Sequence, residues 1–244
     1  METFFTTSDK IQHIIKSFNL TKTLFVSSII IGEANTGKKT LARYLFPDAI
    51  FVSGENQEEV ALALESYDEL IISNFEKLSN QSQLDFSNKR IIATADYMGN
   101  PHTVDELFAF IYTMPPLQER PDDVKFLHRL FVKEAESTLM LSKNNTLIDT
   151  IPLDLTANTK SLKKSIYYHL IKQTMHIGDI KEMLHDYLFT HLEGNNNYRI
   201  HLGLYEIPLI QAGLKKYGSQ LQLSQALGIN RNTLRKKIHE HHID

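Results

Sequence analysis

SIIIGEANTGKKTLAR, residues 28–43, decides how the N-terminal part of the chain folds. Its isoleucines end an apolar, β-branched run that begins at Leu24, the pattern of a strand buried on both faces. Gly32 bounds that strand, a glycine-containing loop runs to Thr40, and LARYLF follows as a helix stopped by Pro47. Strand, glycine loop, lysine and helix, in that order, is the context in which a phosphate-binding loop is read. Gly32 and Gly37 would let backbone amides turn inward, Lys38 would reach the terminal phosphates, and the helix N-terminus would add partial positive charge. Lys39 stands where most such loops carry a magnesium-binding Ser or Thr. A loop that keeps this shape and binds nothing would have the same sequence, so that alternative stays open.

The run resembles the GExGTGK loop of NtrC-type AAA+ activators, which also lack that hydroxyl. The resemblance implies an α/β, P-loop AAA+-like parallel-sheet core, and ATP or ADP held by Gly32, Glu33, Thr36, Gly37, Lys38, Lys39 and Thr40. It implies less about hydrolysis. SYDELIISNFEKLS, residues 66–79, resembles the family's LFLDEIGELP, but Ser73 and Asn74 stand at the two acidic positions that hold magnesium and activate water. Asp68 and Glu69 lie at the other end of that strand and read as surface acids. RIIATA, residues 90–95, resembles the sensor strand RIIAATN, with Asp96 in the Asn position. Residues 91–119, where the family's arginine fingers fall, contain no Lys or Arg. Only 34 residues separate Lys38 from Ser73, room for a strand at 49–52 and a helix at 58–66. The GAFTGA loop that touches sigma-54 occurs nowhere, so a sigma-54 contact is not expected. No catalytic residue and no metal ligand set is assigned.

MPPLQERPDDVKFLHRLFVKEA, residues 114–135, resembles the family's LPPLRERxEDI junction between core and helical lid. Pro115, Pro116 and Pro121 break structure before a helix whose N-terminus Asp122 and Asp123 favour. The lid is expected to continue through 151–168 and 177–188, with Lys160 of ANTKSL at the place of the family's nucleotide-sensing Arg.

The C-terminal stretch YEIPLIQAGLKKYGSQLQLSQALGINRNTLRKKIHEHHID, residues 205–244, reads as three helices. Ile207, Ile210, Leu214 and Tyr217 give the first an apolar face that Gly218 closes. Leu221, Leu223, Ala226 and Leu227 make a short second helix, with Ser224 small enough for a close crossing and Gly228 suited to a sharp turn. In the third, Leu234 and Ile238 face inward while Arg231, Thr233, Arg235 and Lys236 project outward. Such a front suits a major groove; the plainer alternative is a solvated basic face. GINRNTLRKK resembles the Fis-type helix-turn-helix, which implies an all-α DNA-binding domain with Asn230, Arg231, Thr233, Arg235 and Lys236 at the duplex. Leu221 to Ser224 depart from the family's second-helix wording, which implies fewer phosphate contacts there. His239, His241 and His242 read as a solvated tail rather than a metal site.

Composition is consistent with this division. The net charge is −3, yet residues 200–244 carry six basic against three acidic side chains, leaving +3 there and −6 elsewhere. A basic terminus on an acidic body suggests that only the terminus meets phosphate. Cysteine is absent, which excludes disulfides and thiolate metal sites and fits a reducing compartment. Residues 1–10 show no signal-peptide pattern and no apolar run is long enough to span a bilayer, so a cytoplasmic protein is expected. The expected domains are a degenerate AAA+ core at 1–115, a helical lid at 116–188, a linker at 189–203 marked by Gly194 and three asparagines, and the DNA-binding domain at 204–244. Together these imply a bacterial transcriptional regulator that binds double-stranded DNA as a homodimer, its AAA+ module kept for oligomerisation or nucleotide sensing. An active ATP-dependent activator and a Fis-like architectural nucleoid protein are the alternatives.

Overall fold

The computed structural model describes residues 4–21, 23–141 and 151–243. The parts of the expected core and lid on residues 1–3, 22 and 142–150, and the terminal Asp244, lie outside these. The chain divides into two compact units, Met1–Thr174 and Met175–Asp244.

The first unit is built on five parallel strands, β1 (Ser28–Ile31), β2 (Ile50–Ser53), β3 (Glu69–Ser73), β4 (Arg90–Ala95) and β5 (Phe110–Thr113), in the order β2-β3-β4-β1-β5. Parallel pairing demands crossovers, and α1 (Asp9–Leu20), α2 (Lys38–Leu45), α3 (Gln57–Ser66) and α4 (Pro101–Leu107) cover the two faces. The pleat sorts the side chains. Ile30, Ile71 and Ile92 pack with Ile11, Ile14 and Phe18 of α1 and Leu41 of α2. Their neighbours Ile29, Ile31, Leu70, Ile72 and Ile91 pack on the other face with Val60 and Leu64 of α3, Phe75 and Val104. β1 is shorter than the expected strand from Leu24, because Leu24 and Phe25 remain exposed and only Ser28 and the three isoleucines enter the sheet.

α5 (Pro121–Thr138) packs against α6 (Thr159–Thr174) in the segment expected as a lid, around Leu117, Val124, Val132, Ile151, Leu162, Ile166 and Leu170. Asp123 does more than decorate a helix N-terminus. It is buried, accepts hydrogen bonds from Thr6 Oγ1 and Thr7 N at 2.8 Å each, and pairs with buried Arg120 at 3.4 Å. Residues 151–158 are not helical, so the expected lid helix begins only at Thr159.

The second unit holds α7 (Ile177–His191), α8 (Asn197–Tyr217), α9 (Gln220–Leu227) and α10 (Arg231–Glu240). Here the structure differs from the expected linker at 189–203. Gly194 and Asn196 take positive φ, as their residue types suggested, but they serve a tight turn between α7 and α8 rather than a long connection. α8 also runs through Pro208, whose ring withholds the N–H that would bond the Leu204 carbonyl. α7, read as the end of the lid, belongs to this unit. No helix among the described residues is long and apolar enough to cross a membrane.

Candidate functional site

Two sets of residues drew attention in the sequence, and each falls in its own unit. In the first, β1 ends at Ile31, whose carbonyl accepts from Met114 N at 2.7 Å, and Gly32 N donates to Ala95 O at 3.2 Å. The chain then leaves the sheet between β4 and β5 so tightly that a Cβ on Gly32 would lie 2.5 Å from the Met114 carbonyl oxygen. Gly37 takes φ 99° to start α2, a conformation that favours glycine. The first turn of α2, Lys38 to Thr40, therefore opens at the carboxyl ends of β1 and β4. A cavity of about 280 Å³ there is lined by Ala34, Asn35, Gly37, Lys38, Lys39, Thr40, Asn74, Asp96 and Thr159.

Of the seven residues singled out, Gly37, Lys38, Lys39 and Thr40 line this cavity. Gly32, Glu33 and Thr36 instead hold the loop's shape: Thr36 is buried and its hydroxyl donates to Glu33 O at 2.9 Å. Lys38 is buried too. Its ammonium donates to Gly32 O and Glu33 O, both at 2.7 Å, and to Asp96 Oδ1 at 2.9 Å. The two positions at the end of β3 offer no carboxylate. Ser73 is buried and donates to Val52 O, while Asn74, at φ 53°, reaches the cavity and donates its amide to Glu55 Oε1 at 3.3 Å. The hydrogen bond and charge of Lys77 hold the exposed Glu55 carboxyl below the usual carboxylate range. Glu69, at the far end of β3, pairs with Arg90.

The lid braces the loop from outside, a feature the sequence did not reveal. Arg120 Nη2 donates to Thr36 O at 2.7 Å. Asn158, also at positive φ, donates to Ala34 O and Glu33 Oε2 at 3.0 Å each and accepts from Leu117 N at 2.7 Å. Thr159 bonds Asn35 O through both its N, at 3.1 Å, and its hydroxyl, at 2.7 Å. Lys160, expected at the sensing position, is exposed and does not line the cavity; its neighbour Thr159 does. Asn158 and Thr159 directly precede Lys160 in ANTKSL, and that adjacency is the signal for them in the sequence.

In the second unit, Ile210 of α8, Leu223 of α9 and Leu234 of α10 are buried together, with Leu214, Leu227, Ile229 and Ile238 packed around them. Ser219 caps α9 by accepting from Leu221 N at 3.2 Å, and Gly228, at φ 64°, closes it. Asn230 caps α10 by accepting from Asn232 N at 2.8 Å. Two expectations about this packing are corrected, that Tyr217 joins the α8 seam and that Ser224 makes the close crossing. Leu221 and Ala226 face outward, so α9 turns Leu223, Ser224 and Leu227 inward. Tyr217 is exposed rather than part of the α8 seam. The close crossing is made chiefly by Gly213, where a Cβ would come within 2.2 Å of Leu223 Cδ1; buried Ser224 donates its hydroxyl to Leu221 O.

The outward side of α10 is as the spacing suggested: Asn230, Arg231, Thr233, Arg235 and Lys236 are all exposed. Among the described residues no hydrogen bond or ion pair engages the side chain of Arg231 or Arg235, and Lys236 makes a solvated contact with Glu240 at 3.6 Å. Lys237 is different. It pairs with Glu206 of α8, and His241 Nε2 lies 2.8 Å from the same carboxylate, so His241 ties the end of α10 to α8 and is not part of a solvated tail. The bonds from His241 and then Lys237 hold the Glu206 carboxyl below the usual range.

No protein-family model and no curated protein matches the sequence. Solved structures do. NtrX from Brucella abortus in complex with ADP matches with a TM-score of 0.54 at 13% identity, over 99% of this chain and 70% of that one. Its complex with ATP gives 0.54 at 14% identity, over 99% and 70%. A DNA replication initiation factor gives 0.50 at 15% identity, over 88% and 72%. At such identities the likeness is one of fold, a parallel five-stranded sheet with flanking helices.

Proposed function

We propose that the chain is a sequence-specific DNA-binding transcriptional regulator in which α8, α9 and α10 form a helix-turn-helix unit and α10 enters the major groove. The observation that carries this reading is the two-sided character of α10. Leu234 anchors its back, while Arg231, Thr233, Arg235 and Lys236 stand exposed on its front around the Asn230 cap. An arginine with no internal partner gives up no native bond on meeting a guanine edge or a phosphate.

The AAA+ module serves oligomerisation or nucleotide sensing, without hydrolysis. Gly37, Lys38 and the first turn of α2 have the form of a phosphate cradle, and the ADP and ATP complexes of NtrX support nucleotide as the ligand class. When bound, the nucleotide supplies phosphate charge for Lys38 and the α2 amides. Hydrolysis is not expected of it, because Ser73 and Asn74 can neither hold magnesium by charge nor orient water as a carboxylate does.

The DNA-reading unit works as a pair. α7 buries no residue, and with α8 it shapes an apolar groove of about 280 Å³ lined by Leu184, Leu188, Leu192, Tyr198, Leu202 and Tyr205 among others. Exposed apolar side chains on both arms of this hairpin, among them Leu184, Leu192, Tyr198 and Tyr205, fit a second copy of the same hairpin. The pair would set two α10 helices about 34 Å apart on a near-palindromic site. Selection of bound duplexes from a random pool, followed by titration of the selected site against bulk DNA at fixed salt, tests the reading. A specific regulator keeps its site as bulk DNA rises, and enrichment of no sequence would reject it.

A further inference from the structure

We propose that Asp96 is a built-in competitor for the phosphate position of Lys38, so that the cradle is held closed to nucleotide by the chain's own carboxylate. This rests on the reading of residues 32–40 as a phosphate cradle and goes beyond it by naming what controls entry. An ammonium has three N–H donors, and all three on Lys38 are taken: two by the Gly32 and Glu33 carbonyls that belong to the loop, the third by Asp96 Oδ1 at 2.9 Å. The third direction is the one that leaves the loop and enters the cavity, since Asp96 lines the cavity with Lys38 and Gly32 does not. A phosphate oxygen approaching Lys38 must therefore take a place that already holds a negative oxygen, or sit beside it and be repelled.

The two partners differ in exposure. The Lys38 side chain is 5% exposed and cannot leave, while that of Asp96 is 43% exposed and can swing into water. The barrier is thus a displaceable latch rather than a blocked site. Its placement follows from the strand order: β4 lies directly beside β1, so the residue after Ala95 emerges next to the loop that follows Ile31. The carboxylate missing from the end of β3 is accordingly present one strand closer to the lysine, where it engages the cation itself.

The test is titration of a fluorescent ADP analogue, in EDTA so that no divalent cation bridges carboxylate and phosphate, into the full-length protein and its Asp96→Asn and Asp96→Ala variants. Asn keeps an acceptor for Lys38 and removes only the charge. Asp96→Asn is expected to bind about tenfold more tightly than the parent, the scale of one charge-assisted contact. Asp96→Ala, which also frees the place, should move the same way, and parallel melting curves show that both variants fold. Affinity unchanged or weakened in both folded variants would overturn the proposal, because Asp96 would then be neutral to the nucleotide or part of its site. Binding by none of the three proteins would overturn the cradle reading as well, and is distinguished from the first result by the absence of any saturable signal.

Discussion

Replacing Arg120 by Ala should loosen the joint between the sheet and the lid, because this side chain is where three segments meet. It is buried, donates to Thr36 O in the loop at 2.7 Å, and pairs with Asp123, itself 1% exposed, at 3.4 Å. Burial pulls the Arg120 guanidinium below its usual value while the Asp123 charge opposes this, and the group stays protonated at any working pH. Removing one partner of a buried pair leaves the other charge uncompensated, which costs about 3–5 kcal/mol. Asp123 would keep its bonds from Thr6 Oγ1 and Thr7 N, so the lower figure, about 3 kcal/mol, applies. For a unit the size of Met1–Thr174, at roughly 2–4 °C per kcal/mol, the melting midpoint should fall by roughly 6–12 °C. Arg120→Ala together with Asp123→Asn should lose less than the single change, since no buried charge is stranded. Far-UV circular dichroism melts of the three proteins measure this. A single variant within about 2 °C of the parent, or a double variant worse than the single, would refute the account of the joint.

Leu234→Ala removes a fully buried side chain from a small core and should cost about 2–5 kcal/mol, enough to unfold the second unit while the first still melts near its parent temperature. The Glu206 tie predicts an acid-sensitive unit. Its carboxyl is held below the usual range in the folded protein, so the stabilisation is complete at neutral pH and disappears as pH falls through that depressed value. The melting advantage of the parent over Glu206→Gln should accordingly be present at neutral pH and vanish in acid. Leu192→Glu and Tyr198→Glu, both on the exposed apolar side of the α7–α8 hairpin, should leave the helix content unchanged and shift sedimentation toward monomer.

Much of this was legible because its signals are local. The isoleucines of β1, the loop after them, and the RIIATA strand announce themselves by continuous β-branched runs bounded by special residues. β5 did not: its Phe110, Ile111 and Tyr112 continue an apolar run that already starts at Leu107, the last residue of α4, so the run marks no boundary between helix and strand, and no glycine bounds it. The α7–α8 turn was overextended for a related reason. Tyr198, Ile200 and Leu204 show no inward face because they stay exposed, and the asparagines then dominate the reading. Pairings across the sequence were out of reach altogether. Lys38 and Asp96 are 58 residues apart and Asn158 and Glu33 are 125 apart, and only the strand order and the lid bring them together. Gly213 illustrates the same limit within one unit, since its need to lack a side chain is visible only once Leu223 lies against it.

The central claim is that the front of α10 reads DNA, and the most direct measurement is the affinity of Arg231→Ala and Arg235→Ala for the site selected by the parent protein, with bulk DNA as reference. Both side chains are exposed and without partners among the described residues, so helix content and melting should not change. Loss of an arginine at a base edge should weaken the selected site by about 1–3 kcal/mol, roughly five- to a hundredfold, and loss of a phosphate contact should lower the salt slope by about one unit. Full affinity and an unchanged salt slope in both folded variants would show that this surface does not meet the duplex.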